Sequence, residues 1–167
     1  VYIRLGSGRD PVFFEHNTPF APGKINILRN KGNDIAMFGN GVMLNRLQQA
    51  ADELEKQGYG VTLVEVHTVK PLDVEGVSAV LNDCGAAVTA EDHQIIGGLG
   101  SAIMEAAAEN CPVPITRIGL RDKFAGSGNP EDLLDFYQMG VKDIVEAAVK
   151  TIQRKNLTPT LSKGEGV

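Results

Sequence analysis

The chain has 167 residues, 43% of them hydrophobic and 22% charged, and a formal net charge of -5. That length suits one globular domain with additional segments, and the proportions are ordinary for a soluble fold. A negative balance without a lysine-rich stripe argues against nucleic acid or an anionic membrane as partner, and no apolar run is long enough to span a bilayer.

Val1-Tyr-Ile-Arg-Leu5 is β-rich and has no strand partner nearby, so it is expected to be the last strand of a preceding unit. Gly6 to Gly23, rich in proline and glycine, reads as a linker at a domain boundary. The main domain is expected from Lys24 onwards. Ile25–Leu28 and Ile35–Phe38 are apolar runs around Asn30-Lys-Gly-Asn-Asp34, which predicts an antiparallel hairpin at the start of the sheet. Gly39-Asn-Gly41 then opens a helix whose Leu47, Ala50, Ala51 and Leu54 form an apolar stripe, and Gly58 ends it.

Val61–Val66 is β-branched and strand-like. Pro71 blocks further pairing, and Asp73 is placed to cap a helix through Val77, Val80 and Leu81. A short strand, Ala86–Ala90, leads into a polar loop of Glu91, Asp92 and His93. A glycine turn, Gly97-Gly98-Leu99-Gly100, follows, and then a helix over Leu99, Ala102, Ile103, Ala106 and Ala107. Pro112–Leu120 supplies a final strand, and Pro130 starts a helix over Leu133, Leu134 and Phe136. Val141, Ile144, Val145, Ala148 and Ile152 make a long amphipathic helix, and the polar stretch from Asn156 reads as a frayed tail. Strands alternating with helices predict a mostly parallel sheet covered on both faces, with an antiparallel first strand.

Several residues could carry chemistry. The amides of Gly97, Gly98 and Gly100, before a helix, could receive a phosphate or carboxylate, but Ile103 stands where a dinucleotide fingerprint needs a small residue. The alternative is that the glycines let the helix pack close to the strand end. Glu91 and Asp92 beside His93 could tune an imidazole for acid–base work, or could simply satisfy loop amides. No serine or cysteine is placed to complete a triad with them. His67 and Lys70 sit at another strand end and read as solvated loop residues. Arg9, in a glycine loop after a strand, is a candidate anchor for a phosphate or carboxylate. Cys84 and Cys111 form no spacing motif and read as reduced, buried thiols of a cytoplasmic protein; the three histidines are too scattered for a zinc site.

Taken in order, Tyr2-Ile-Arg-Leu5, Gly39-Asn-Gly41, Thr68-Val-Lys-Pro-Leu-Asp73, Glu91-Asp-His93 with Gly97-Gly-Leu-Gly100, and Phe124-Ala-Gly-Ser-Gly128 before Glu131-Asp-Leu-Leu134 resemble the C-terminal domain of transketolases, over roughly residues 1 to 153. The resemblance implies a three-layer αβα fold whose mostly parallel five-stranded sheet has one antiparallel strand. It implies that residues 1–9 end a pyrimidine-binding domain, 10–23 link, 24–153 form the C-terminal domain and 154–167 a flexible tail. It further implies thiamine diphosphate and a divalent cation (Mg) in the complete enzyme, none of it held by this chain. The expected partners are the pyrophosphate- and pyrimidine-binding domains, in a homodimer, and the fragment alone is expected to be inactive and to serve assembly. By the same resemblance Arg9 is the counterpart of an arginine that binds the sugar's phosphate, while no catalytic role transfers to Glu91, Asp92 or His93. Two other readings are a docking domain of a 2-oxo-acid dehydrogenase β subunit and a freestanding anion- or nucleotide-binding regulator using the Gly97–Gly100 turn.

Overall fold

A computed structural model describes residues 1–3, 12–14, 18 and 20–157 of the chain. Two strands, β2 (Ile35–Gly39) and β3 (Val61–Glu65), are buried at every position. Strands of that kind belong at the middle of a sheet with helices on both faces. They lie beside one another in parallel, with β1 (Asn26–Asn30) on one flank and β4 (Ala87–Gln94) then β5 (Ile115–Leu120) on the other, in the order β1-β3-β2-β4-β5. Only β1 runs antiparallel. The sheet is therefore five-stranded and mixed, as expected.

Alternation of side chains sorts the strands between two cores. Ile35, Met37, Val61, Leu63 and Val88 face α1 (Met43–Lys56) and α5 (Val141–Leu157). Ala36, Phe38, Val64, Val66 and Ala87 face α2 (Val74–Cys84) and α3 (Leu99–Asn110). The helical stripes do what their spacing predicts: Leu47, Ala50, Ala51 and Leu54 of α1 are all fully buried. Gly58, at φ +89°, follows the end of α1 in the left-handed conformation that closes such helices. Asp73 accepts from the Gly76 amide at the start of α2, as its position before the apolar run predicts. A short α4 (Pro130–Phe136) is capped by Asn129 and buries none of its residues, and α5 continues through Leu157.

Two local expectations are corrected. The first is the hairpin: β1 pairs with β3, not with β2. The Asn30–Asp34 connection passes the start of β3 and is stitched to it. Lys31 donates to the Val61 carbonyl, Asp34 and Ile35 to that of Gly60, and Gly60 donates to Asp34 Oδ2 at 2.7 Å. Gly32 and Gly60 approach so closely that a Cβ on either would collide with the other's backbone. Five residues can bridge two strand spacings of about 5 Å each, so turn length alone did not fix the partner. The second concerns Glu91, Asp92 and His93. They lie within β4, which runs to Gln94, and not in a loop after Ala90. A register shift between Ala90 and Gln94 marks an irregular segment, after which the Ile95 amide bonds the Leu120 carbonyl. Gly119 of β5 makes room there, since a Cβ would crowd the His93 and Glu91 carbonyls.

Candidate functional site

The carboxyl end of β4 is where polar chemistry concentrates. Successive strand residues point to opposite faces, so Glu91 and Asp92 part company. Glu91 turns toward α3 and is 2% exposed. Its Oε2 accepts from the Leu99 amide at 2.8 Å and its Oε1 from the Gly100 amide at 2.9 Å. A buried carboxylate is costly unless it is bonded and compensated. Here two orphan amides and the positive end of the helix dipole supply both.

The glycines serve this arrangement. A Cβ on Gly98 would overlap the Glu91 carboxylate, and one on Gly100 would meet Thr89 Oγ1 at 2.6 Å and Arg117 Cδ at 2.8 Å. Gly97 takes φ +74°, and its amide donates to Ser101 Oγ, whose hydroxyl donates on to the Ile95 carbonyl. Arg117 crosses from β5 to bond the same carbonyl at 2.6 Å and Ser101 Oγ at 3.2 Å. The amides of Gly97, Leu99 and Gly100 thus all have acceptors within the chain. Close packing of helix on strand is what the geometry provides.

Asp92 turns the other way. Its Oδ1 lies 2.9 Å from His93 Nδ1, so an acid does sit beside the imidazole, and the His93 side chain is largely exposed. Asp92 also lines a cavity of about 490 Å³ between the body of the domain and the segment from Ala125 to Met139. Across the cavity Arg46 of α1, 8% exposed, binds Glu131 Oε2 at 2.5 Å and Asp135 Oδ1 at 2.8 Å, both on α4. Gln94 pins the chain just before that segment, donating to the Lys123 carbonyl and accepting from the Asp122 amide.

The remaining candidates do not join this place. His67 bonds Thr68 Oγ1 through Nδ1 at 2.8 Å and lies against Phe20 with the rings tilted by 41°, and Lys70 is exposed. Arg9 lies outside the described residues. Cys84 and Cys111 are both buried and free, and burial pushes the Cys84 thiol up. Arg46, Gln94, Ser101 and Arg117 escaped sequence reasoning. Arg46 had left one signal, a charged residue three after Met43 and four before Ala50 on the apolar stripe of α1.

Among the described residues no three His, Cys, Asp or Glu side chains converge to hold a metal ion. The Gly97, Leu99 and Gly100 amides already have acceptors, so those three donors are not open to a diphosphate. No helix among them is long and apolar enough to cross a membrane.

Comparison with known proteins gives these features a family. The chain is 42% identical over 156 residues to the 6-deoxy-6-sulfo-D-fructose transketolase subunit of a Clostridium species (strain MSTE9), covering 93% of this chain and 48% of that protein. It is 32% identical over 151 residues to an apulose-4-phosphate transketolase subunit of Actinobacillus succinogenes, covering 89% and 48%. The chain therefore spans about half the length of these relatives. A solved structure, described as a split-gene transketolase in an inactive β4 tetramer, superposes with a TM-score of 0.82 at 35% identity, covering 87% of this chain and 47% of the other. Residues 23–144 match the model for the transketolase C-terminal domain, and the chain belongs to that family.

Proposed function

We propose that the chain is the C-terminal part of a transketolase, whose complete enzyme transfers a two-carbon ketol unit between sugar phosphates. The observation that carries this reading is the similarity over 93% of the chain to a transketolase subunit. In this reading thiamine diphosphate and its Mg ion are held by the pyrophosphate- and pyrimidine-binding domains, and the chain without them turns over no substrate. The present domain contributes packing in a cytoplasmic homodimer of the assembled enzyme. Ile96, 65% exposed at the tip of the glycine turn, and Phe124, fully exposed in the segment Gln94 pins, support a buried role for this end of the sheet in an assembly. The subunit names of the relatives support the same view.

The test is to combine this chain with polypeptides supplying the two cofactor domains. Co-elution on size exclusion and ketol transfer in a coupled assay are the expected results. Failure of both would sink the reading, and capture by an acyltransferase core instead would favour the 2-oxo-acid dehydrogenase alternative. In an active assembly, Arg9→Ala should raise the KM for the phosphorylated sugar with little change in kcat, as loss of one uniform phosphate contact requires. An unchanged KM would remove Arg9 from the site.

A further inference from the structure

The cavity beside Asp92 lies where the sheet reverses its winding. From β2 the chain crosses by α1 to β3 on one side, and from β4 by α3 to β5 on the other. Crevices outside the carboxyl ends of strands at such a switch point are the usual ligand sites of open α/β sheets. On the α3 face the corresponding place is filled by Glu91. On the α1 face it is open, at about 490 Å³.

The lining states what would fit. Val42, Leu120, Leu134 and Met139 give an apolar floor, and Asn45 and Gln49, one turn apart on α1, present side-chain amides. The charged groups of the lining are Arg46, Asp92 and Glu131. Arg46 is already engaged by two carboxylates, Glu131 and Asp135, and also by the Glu131 carbonyl. Its charge is compensated before any ligand arrives, and Asp92, whose Oδ1 already has His93 Nδ1 at 2.9 Å, is the one lining carboxylate not held by Arg46. An anion would meet Asp92 and Glu131 with no uncompensated cation among the lining residues to offset them. An ammonium group has three donors and no acceptor, which suits a lining that holds the Asp92 carboxylate and the side-chain amides of Asn45 and Gln49.

We propose that this cavity binds an aliphatic ammonium group, with Asp92 as its counter-ion, the Asn45 and Gln49 amides as further acceptors, and the alkyl chain on Leu120, Leu134 and Met139. The Arg46–Glu131–Asp135 cluster is the positioning device that holds α4 as the outer wall. The group can come from a free amine or from a lysine side chain of a partner chain, and the two differ in how they are tested. The proposal is argued from this chain's own residues, and the titration reads them in the chain alone, without the assembly proposed at this end of the sheet.

The experiment is a nitrogen–proton correlation titration of the full chain with n-butylammonium chloride, with the blocked peptide Gly-Lys-Gly, and with inorganic phosphate. Saturable shifts of the Asn45 and Gln49 side-chain amides are expected, with a Kd of about 1 mM. Response to both amines identifies an open ammonium site, and response to the peptide alone identifies a lysine recognised with its backbone. Asp92→Asn should weaken binding at least about tenfold with the rest of the spectrum unchanged. The proposal is overturned by no saturable shift from either amine, by equal binding to Asp92→Asn, or by phosphate saturating the same resonances.

Discussion

Glu91 and Asp92 are neighbours on one strand, carry the same charge, and have opposite fates. Glu91 goes to the α3 face, where two helix amides meet it and glycine clears the way. Asp92 goes to the α1 face, where it pairs with a largely exposed histidine and looks into a cavity. A carboxylate at a strand end is thus not itself a sign of a site. What decides is whether the fold has already supplied its donors. The glycine turn looked ready for an outside anion, yet an anion of its own chain occupies it. On the other face no main-chain amide among the described residues donates to Asp92, and a cavity lies beside it.

The largest expected effect tests the closed side. Glu91→Ala removes two charge-assisted bonds of about 1.5–3 kcal/mol each and strands two amides, so a loss of about 4 kcal/mol is expected. Chemical denaturation with an unchanged m-value would measure it. A loss below about 1 kcal/mol would mean that water replaces the carboxylate, and the turn would then be open to outside anions.

Next comes Gly98→Ala, which should cost about 1–3 kcal/mol by overpacking against the Glu91 carboxylate. The double variant is more telling than the single one. With Glu91 already truncated, the added methyl loses its nearest obstacle and keeps only the tight approach to the Gln94 carbonyl at 2.9 Å, so the two losses should fall short of additivity by more than about 0.5 kcal/mol. Strict additivity would show that Gly98 answers to something other than Glu91.

How far these features were legible in the sequence follows from the range of the interactions that made them. The α1 stripe and the Asp73 cap depend on residues within a few positions, and both are where the sequence predicts them. The turn at Asn30–Asp34 was visible, but its strand partner was not, because the bonds that settle it come from Gly60 and Val61. The extension of β4 was hidden by four polar residues in a row, Glu91 to Gln94, a composition that strands usually avoid. The cavity was the least legible part. Arg46 meets Glu131 and Asp135 across 85 and 89 positions, and nothing local announces such a pairing. The glycines stand out in the sequence, but what Gly98 makes room for is a side chain seven residues earlier, Glu91.

Asp73 offers an intermediate case, a carboxylate nearly as buried as Glu91 but reached by a lysine. Burial alone would push its carboxyl up. Bonds from the Ile25 and Gly76 amides and the Lys24 ammonium outweigh that and hold it below the ordinary 3.8. A lowered folded-state value gives stability that is present above the unfolded value and lost as pH falls through the folded one. Asp73→Ala should therefore cost about 1–2 kcal/mol at neutral pH. The gap to the parent should shrink as pH drops below 3.8. A gap that stays constant through that window would assign the loss to packing and not to the charge.

The smallest expected effect is the sharpest for the contrast. Asp92→Asn keeps the shape of the side chain and removes the charge from a group that is a third exposed, 32% by side-chain surface. Its pairing with an exposed histidine is worth little in water, so stability should change by less than about 0.5 kcal/mol. A fold that needed Asp92 as it needs Glu91 would lose several times that amount. If the measured loss approached that of Glu91→Ala, the two faces of β4 would be alike and Asp92 would be structural. A near-neutral result leaves a charge that the fold does not require, set beside a cavity whose one guanidinium is already engaged. A near-neutral change in stability, combined with loss of amine binding in the same variant, separates recognition from folding at this strand end.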